Sequence, residues 1–385
     1  MRRYSALPSI VSLALLLALA ACAPGAAPSA PAAPAAPASG PPAAAPGQPP
    51  AAAGSLQALV EAARAEGSLS LIWGEGTLGG AEGTRRLAEG FNRHYGLNLS
   101  VRFTPGESMP PMLSRLTEEY RAGKPAATDL YAGYGGYVAT GINSGLFEPV
   151  DWASWAPNVQ NPALLATGGQ AVVVESSMMG ITYNTSKVRA DEAPTSLQDL
   201  LKPQFKGRVA TTPYTSGFER LAVPEMWGEQ RTLDYMTRLA DQLAGLLRCG
   251  DHSRIVAGEF DVFALDCSQS STLDLMAKGA PITFVFASDA PFVQLLYLAV
   301  PKNSAHPNAA KLWINYLLSR EAQDVLYDQD YADLHLLEGS KTAKDIARFA
   351  GGHIDVLPID VAFYQQHDEA NLVRIQGDLQ KIVTK

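Results

Sequence analysis

The sequence predicts an α/β protein built as two lobes, each a mostly parallel sheet flanked by helices, and three observations support this. The chain has 385 residues, more than a single hydrophobic core usually holds. Strand-like apolar runs, polar turns and amphipathic helical patterns alternate through residues 69–137, as in repeated strand–helix units. Residues 180–217 then show a strand, a capped helix, a second strand and a polar turn, which is the order of a right-handed crossover.

The first 54 residues predict export and a flexible attachment. Arg2 and Arg3 precede an apolar run too short to span a bilayer, so residues 1–21 are predicted to be a signal peptide. A leucine and two alanines lead into Cys22, which resembles the bacterial lipobox and predicts lipidation of Cys22; an incidental cysteine after a plain signal peptide is the alternative. Residues 22–54 then form an uncharged Pro/Ala tether, which we expect to be disordered.

Periodicity places the following elements. Ser55 and Gly67 carry the signals that start and end a first helix. The further spans are strands at 69–73, 97–103, 128–132, 180–184, 207–211, 281–287 and 295–300, and helices at 81–95, 109–120, 197–201 and 308–318. The pattern after about residue 335 is helical and mixed, and it predicts no definite order.

Composition excludes some partners and ligands. The net charge of −8 argues against nucleic acid, because phosphate binding requires basic surfaces. The six histidines are scattered without the spacing of metal ligands, so no metal and no cofactor is predicted. Cys249 and Cys267 are the two cysteines that remain after Cys22, and an exported chain favours a disulfide between them, with two buried free thiols as the alternative.

A glycine-rich loop follows the first strand. Residues 74–79 match G-x-G-x-x-G between a strand and a helix, which is a dinucleotide fingerprint. No acidic residue stands at the next strand end to hold a ribose, and we found none of the common hydrolase motifs, so an enzyme is not predicted. An exported enzyme that binds a dinucleotide here stays an alternative. The same exposed N–H groups suit other polar ligands, which predicts a binding role for Glu75, Gly76 and Thr77.

Two stretches resemble a known family. A tyrosine–asparagine turn precedes P-x-S-x-x-D-L-L-x-P-x-x-K-G-R-V and then T-S-G within residues 183–217, and a second match lies at residues 299–312. Together they resemble the extracellular solute-binding proteins of ABC importers, in the branch that includes the ferric-ion binders. The resemblance covers about residues 68–335. It implies a two-lobe fold like that of type II periplasmic binding proteins, with a ligand cleft between the lobes.

The resemblance also implies lobe bounds and a binding site. Lobe 1 would comprise residues 55–179 and 297–350, and lobe 2 residues 180–296, with 351–385 assigned to it less securely. The ligand would lie between turns at strand ends of both lobes. Glu75, Asp266 and Asp289 are the acids available to a cationic group there, and a solvated or capping role is the favoured alternative for each. Besides the first glycine loop, the residues expected to bind the ligand are Gly133, Tyr134, Gly135, Tyr183, Tyr214, Thr215, Ser216, Asp266, Ser268 and Ser288.

The chain departs from the ferric-ion binders in one respect. Those proteins carry adjacent tyrosines near the position of Asp266, and this chain has no tyrosine from Met236 to Leu296. A small polar organic solute is therefore predicted in preference to ferric iron. The resulting prediction is a monomeric, membrane-anchored substrate-binding lipoprotein that delivers its solute to an ABC permease. A solute sensor that signals to a receptor is the alternative.

Overall fold

A computed structural model describes residues 55–106 and 108–385 of the chain. The predicted signal peptide, the predicted lipidation site at Cys22 and the predicted tether lie outside the described residues. The described chain has the predicted mixture of helices and strands. None of its helices combines the length and the apolar character that crossing a membrane requires.

The strands, in chain order, are β1 (Ser68–Trp73), β2 (Ser100–Pro105), β3 (Tyr131–Tyr134), β4 (Val172–Met178), β5 (Gly180–Asn184), β6 (Val209–Thr211), β7 (Leu243–Leu246), β8 (Val262–Asp266), β9 (Ile282–Val285), β10 (Phe292–Ala299) and β11 (Leu357–Ile359). The α-helices are α1 (Leu56–Glu66), α2 (Gly80–Tyr95), α3 (Met109–Arg121), α4 (Gly135–Asn143), α5 (Glu229–Ala240), α6 (Ser253–Val256), α7 (Gln269–Ala277), α8 (Pro307–Leu317), α9 (Arg320–Asp330), α10 (Lys341–Phe349), α11 (Val361–Gln366) and α12 (Glu369–Val383).

Two sheets organise the described residues. In the first sheet, β10 pairs with β3 and β4 antiparallel and with β11 parallel, while β1 and β2 form a separate parallel pair. The second sheet has the strand order β7-β6-β8-β5-β9. Its β6 is parallel to β7 and β8, whereas β5 is antiparallel to β8 and β9. Both sheets are therefore mixed, because β5 runs against both of its neighbours and β10 runs against β3 and β4 but parallel to β11.

The chain passes between the two sheets at adjacent places. Met179 alone separates β4 from β5, and β9 returns to β10 through residues 286–291. The two passages are bonded to each other, since Met179 donates its N–H to the carbonyl oxygen of Phe292 at 3.1 Å. Every residue of β4, β5 and β10 is buried. These strands therefore form a close-packed double connection between the sheets.

Each sheet has its own hydrophobic core. The first core includes Leu71, Phe91 and Trp313, and the second includes Met236 and Leu239. The C-terminal α12 packs on the second core through four buried apolar residues, namely Leu372, Ile375, Leu379 and Val383. The predicted lobe bounds, 55–179 with 297–350 and 180–296 with 351–385, stay a prediction.

The strand predicted at 128–132 begins three residues later than expected. The Thr128 hydroxyl accepts a hydrogen bond from the N–H of Ile72 at 3.0 Å, and the Asp129 carboxylate accepts one from the N–H of Ser70 at 2.7 Å. These side chains occupy backbone donors of β1 that a paired strand would otherwise use. The ladder of β3 therefore starts at Tyr131.

The crossing at Gly180 leaves no room for a side chain. A Cβ atom there would stand 2.3 Å from the carbonyl oxygen of Val285 and 2.5 Å from the ring of Phe284. We expect Gly180→Ala to lower the free energy of unfolding by about 1–3 kcal/mol through overpacking. Gly377→Ala on α12 is the control, because its Cβ would meet no atom within 4 Å and alanine favours a helix by roughly 0.5–1 kcal/mol. Urea denaturation of both variants measures the difference, and an unchanged Gly180→Ala stability would contradict the steric argument.

Candidate functional site

A group of buried polar side chains lies where the first sheet meets the turn that follows β6. We call this group the buried polar cluster. Its members come from β3, β4 and β10, from a 3₁₀ turn at Phe218–Ala222, and from α11. They are Tyr134, Glu175, Ser177, Glu219, Arg220, Gln294 and Tyr364.

Strand register places four of these residues on one face of the first sheet. Leu296 on β10 pairs with Tyr134 of β3 on one side and with Glu175 of β4 on the other. Ser177 on β4 lies opposite Gln294 of β10. Paired residues on adjacent strands share a face, and so do residues two apart on one strand. The sheet therefore presents a phenol, a carboxyl, a hydroxyl and an amide side by side.

The 3₁₀ turn supplies the opposing charges. Gly217 adopts φ 91°, and a Cβ atom there would lie 2.5 Å from the Met179 side chain. After this tight turn, Phe218 fills the second core, while Glu219 and Arg220 are only 8% and 6% exposed. Arg220 donates through Nη1 to the Met179 sulfur at 2.8 Å and through Nη2 to Gln294 Oε1 at 3.5 Å. A guanidinium attached near the second sheet thus reaches the first.

Several buried polar atoms of the cluster have no hydrogen-bond partner in the described part of the chain. They are Oε2 of Glu175, Oγ of Ser177, Oε2 of Glu219 and Nε of Arg220. Nε of Arg220 lies 3.4 Å from the Glu219 carboxylate, without hydrogen-bond geometry. Buried polar atoms are normally paired, since an unpaired one costs about 1–3 kcal/mol. Four such atoms in one place suit the binding of a polar molecule that bonds to them.

Burial and like charges perturb the acids here. Burial, together with the nearby Asp330 and Asp333, raises the pKa of Glu175 well above its usual value. Burial likewise raises the pKa of Asp330. The hydrogen bond from the Gly79 N–H opposes this effect, and the resulting pKa is about 6. Burial raises the pKa of Tyr134 to about 12. Burial therefore favours the uncharged form of both side chains, whereas a cation beside Glu175 would favour its carboxylate form.

The first glycine loop touches the cluster indirectly. Glu75 and Gly76 are exposed and Thr77 is half-buried. Within the loop, the Thr77 N–H bonds to the carbonyl oxygen of Gly74, and the Gly79 N–H bonds to the Asp330 carboxylate. The loop thus positions Asp330 beside Glu175. That carboxylate would also repel a pyrophosphate, so the structure disfavours the dinucleotide alternative.

The second glycine turn acts through packing. A Cβ atom on Gly133 would lie 2.5 Å from the Tyr131 ring, and one on Gly135 would lie 2.6 Å from the backbone of Asp360. The expectation that Gly133 and Gly135 face a ligand stays a prediction. At Gly135, the absence of a side chain allows the segment before α11 to approach α4, and Tyr364 on α11 lies beside Arg220. Tyr134, between the two glycines, does join the cluster.

The turn after β6 contains the predicted ligand residues Tyr214, Thr215 and Ser216. Their hydrogen bonds are to neighbouring parts of the second sheet and α12 and not to the cluster. The Tyr214 hydroxyl accepts a hydrogen bond from the Cys249 N–H at 2.9 Å, and the Tyr214 carbonyl oxygen accepts one from Gln376 on α12. Thr215 is fully buried, and the Ser216 N–H bonds to Thr212. The polar groups that reach the first sheet come from Glu219 and Arg220 instead.

Asp266 is the last residue of β8 and is fully buried, and its binding of a cationic group stays a prediction. Its Oδ2 accepts hydrogen bonds from Thr182 at 2.6 Å and from Thr272 at 3.2 Å, and it lies 2.7 Å from His252 Nε2. Asp266 and His252 are both almost completely buried. The carboxylate therefore neutralises and orients an internal histidine.

Three other predicted ligand residues also have structural partners. Tyr183 is buried in the second core. Ser268 caps α7 by accepting the Ser270 N–H at 3.2 Å. Ser288 is exposed, and its hydroxyl donates to the carbonyl oxygen of Thr195 at 3.1 Å. These contacts keep the three side chains outside the buried polar cluster.

Cys249 and Cys267 are disulfide-bonded in the structure, with their Cα atoms 5.8 Å apart. The bond joins the segment after β7 to the end of β8. It borders the cluster, since Gln294 Nε2 donates to the carbonyl oxygen of Cys267 at 2.9 Å. The disulfide thus holds a backbone acceptor beside Gln294.

The sequence analysis missed six of the seven cluster residues, all except Tyr134. Two local signals were available. Glu175, Ser176 and Ser177 interrupt a long apolar run, and Glu219 with Arg220 interrupts the apolar stretch after T-S-G. Charged residues are seldom buried without a specific reason, so either interruption indicates a functional position.

A second constellation has the order of groups found in serine hydrolases. Ser68 Oγ lies 2.8 Å from His306 Nε2, and His306 Nδ1 lies 2.8 Å from Asp129. Such catalysis needs N–H donors for an oxyanion, but the Ala309 N–H at the start of α8 bonds to the Glu66 carboxylate. We therefore infer that Ser68, His306 and Asp129 have a structural role and hold the start of α8 against β1.

Comparison with known families identifies the class of protein. A family model described as "Bacterial extracellular solute-binding protein" matches residues 133–344, more than half of the chain. The chain belongs to this family, and the resemblance drawn from its sequence is confirmed.

Curated relatives are more distant. An Fe(3+)-binding periplasmic protein of Serratia marcescens is 23% identical over 192 residues, which cover 48% of this chain and 56% of that protein. An uncharacterized protein of Haemophilus influenzae is 25% identical over 167 residues, 40% of this chain and 48% of the relative. The chain thus matches about half the length of these relatives.

Solved structures confirm the two-lobe fold. Iron-bound HitA from Pseudomonas aeruginosa has a TM-score of 0.64 at 18% identity, with 81% of this chain and 99% of that one covered. The substrate-binding protein of an ABC transporter from Agrobacterium tumefaciens scores 0.65 at 15% identity, with 84% and 97% covered. AgtB from A. tumefaciens, in complex with agropinic acid, scores 0.60 at 18% identity, with 83% and 99% covered.

The buried His252–Asp266 pair predicts a pH-dependent stability. Burial lowers the pKa of His252, but the Asp266 carboxylate outweighs this, so the pKa in the folded chain is raised. The stabilisation that protonated His252 contributes is therefore complete below the unfolded-state histidine pKa of about 6.5. It is lost as the pH rises through the pKa of His252 in the folded chain. We expect the free energy of unfolding to fall with pH over this window in the native chain and to fall less in His252→Gln. Urea denaturation across this pH window measures both slopes, and equal slopes would contradict the assignment.

The disulfide predicts a second measurable contribution. Peptide mapping without reduction should recover Cys249 linked to Cys267. Reduction should lower the free energy of unfolding by roughly 3 kcal/mol, as expected for a closed loop spanning 18 residues. A Cys249→Ser, Cys267→Ser double variant serves as the control, because reductant should not change its stability. Recovery of both cysteines as free thiols would refute the pairing.

Proposed function

We propose that this chain is the substrate-binding lipoprotein of an ABC importer, which captures a small polar organic solute in the buried polar cluster and delivers it to a membrane permease. Family membership supports an exported solute-binding protein. Lipidation of Cys22 would anchor it at the membrane surface, and the Pro/Ala tether would let the binding body move away from that anchor.

The observation that carries this proposal is the set of unpaired buried atoms on Glu175, Ser177, Glu219 and Arg220. Glu175 and Ser177 belong to the first sheet, whereas Glu219 and Arg220 follow a strand of the second sheet. A solute bonded to both pairs gains contacts only when the two sides are close together. Its binding would therefore favour a closed arrangement, and the adjacent crossing strands give a natural hinge.

Charge favours an organic solute over ferric iron. The guanidinium of Arg220 lies within the cluster and would repel a trivalent cation. Tyr134 holds its proton more firmly than usual, because burial raises its pKa to about 12, whereas iron requires the phenolate. In the described ranges, no group of three or more His, Cys, Asp or Glu side chains is arranged to hold a metal.

Ferric iron is the second candidate, and a specific observation favours it. The phenol oxygens of Tyr134 and Tyr364 lie near Arg220, with the carboxyl groups of Glu175 and Glu219 beside them. Phenolate and carboxylate oxygens are hard ligands suited to Fe(III). Relatives of this chain include an Fe(3+)-binding periplasmic protein and iron-bound HitA, although one structural neighbour holds agropinic acid.

A thermal-shift screen of organic acids, amino acids, sugars, polyamines and ferric citrate tests the proposal. A solute that binds the folded chain at 100 times its Kd should stabilise it by about 2.7 kcal/mol. Arg220→Gln should abolish the response, whereas Arg93→Gln, at a well-exposed arginine, should retain it. Small-angle scattering should show compaction with the stabilising solute.

Three results would contradict parts of the proposal. A response that survives Arg220→Gln would place the solute elsewhere. Binding without compaction would refute closure between the lobes. A visible absorption band with ferric citrate that is lost in Tyr134→Phe would establish iron in place of an organic solute. Neighbouring genes for a receptor, in place of a permease and its ATPase, would favour the sensor alternative.

A further inference from the structure

Arg220 is a buried cation with poor partners. One of its N–H groups donates to a thioether sulfur, a weak acceptor, and another reaches Gln294 Oε1 only at 3.5 Å. Its Nε has no hydrogen bond, although Glu219 lies nearby. A guanidinium has five N–H donors in a planar fork that matches the two oxygens of a carboxylate or phosphonate. This side of the cluster therefore suits an anionic group of the solute.

Glu175 provides the opposite chemistry. Its Oε2 is buried and has no partner among the described residues. Asp330 and Asp333 lie close enough for their charges to act on it. Asp333 is held by the N–H groups of Lys341 and Thr342, so its negative charge is fixed in place. A cation placed at Glu175 would relieve the repulsion among these acids. This side of the cluster therefore suits an ammonium group.

Strand geometry sets the distance between the two sides. Ser177 lies opposite Gln294, which Arg220 approaches, and Glu175 lies two residues earlier on β4. Two residues span roughly 7 Å along a strand. The backbone positions that anchor the two sides are therefore about this far apart, a spacing that the two ends of a short dipolar molecule can bridge.

On the basis of the proposed function, we infer that the solute is a short zwitterion. Its carboxylate or phosphonate bonds to Arg220, and its ammonium bonds to Glu175, with the Ser177 hydroxyl between them. A polyamine would bring a second cation to Arg220, and an uncharged sugar would leave the guanidinium without an added anion. Amino acids and aminoalkyl phosphonates meet both requirements.

Matched probes test this inference. The zwitterions are glycine, β-alanine, 4-aminobutyrate and 2-aminoethylphosphonate. Butyrate and butylamine each carry one of the two charges of 4-aminobutyrate, and 1,4-diaminobutane carries two positive charges. We expect at least one zwitterion to raise the Tm saturably, while the probes that lack one charge do not at the same concentration. Titration calorimetry then gives the Kd of the responding zwitterion.

Variants locate the two ends of the zwitterion. Glu175→Gln keeps the side-chain size and should weaken the zwitterion on the order of tenfold or more, as expected for losing a charge-assisted bond. Arg220→Gln should abolish binding. Glu225→Gln is the matched control, since that glutamate is exposed, and it should leave the Kd unchanged. Circular dichroism confirms folding, and Ser177→Ala is the second probe of the site if Arg220→Gln does not fold.

The outcomes separate this inference from the proposed function. Stabilisation by a mono-charged probe, a sugar or ferric citrate, with none by any zwitterion, would overturn the inference and keep a solute-binding site. An unchanged zwitterion Kd in Glu175→Gln would also overturn it. A zwitterion that binds Arg220→Gln as tightly as the native chain would overturn both.

Discussion

The one-residue passage at Met179 is the constraint on which the rest of the structure depends. β4 belongs to the first sheet and β5 to the second, and the chain changes sheets with no residues to spare. The return passage is bonded to it through Met179 and Phe292. The two sheets therefore stay in contact along these strands. Polar residues that flank the passage, from the first sheet and from the second, are therefore brought close together without a long loop.

The buried polar cluster follows from this proximity. The Met179 sulfur that marks the passage is also a contact of Arg220, and Gln294 on the return strand is another. A guanidinium this deeply buried is expensive unless it is well paired. Its protein contacts are a thioether, a long amide contact, a poorly aligned carboxylate and the neighbouring Tyr364 phenol, and its Nε has no hydrogen bond. By contrast, Oδ2 of Asp266 is held by His252 and two threonines, although Oδ1 of Asp266 is unpaired. This contrast argues that Arg220 serves binding rather than stability.

The fold was predictable because its signals are local. The strand predicted at 180–184 is β5, the one at 207–211 contains β6, and the one at 295–300 overlaps β10. Alternation, turn residues and helix caps lie within a few residues of the element that they define. The same rules did not predict β4, and they gave no order to the chain after about 335. Those two regions carry Glu175, Ser177 and Tyr364, so three of the six missed site residues lie in regions where no element was predicted.

The glycine turns show why the rest of the site could not be predicted from the sequence. Glycine patterns reveal where the backbone bends or packs closely, and Gly133 and Gly135 both mark close packing. They do not reveal what fills the space beside them, which is the Tyr131 ring at Gly133 and, at Gly135, the backbone of Asp360, more than two hundred residues later. Whether a polar atom lacks a partner depends on every element packed around it. Glu175 and Asp266 are both acids in buried strands and each has one unpaired oxygen, and only their three-dimensional contacts show that Thr182, Thr272 and His252 hold the other oxygen of Asp266.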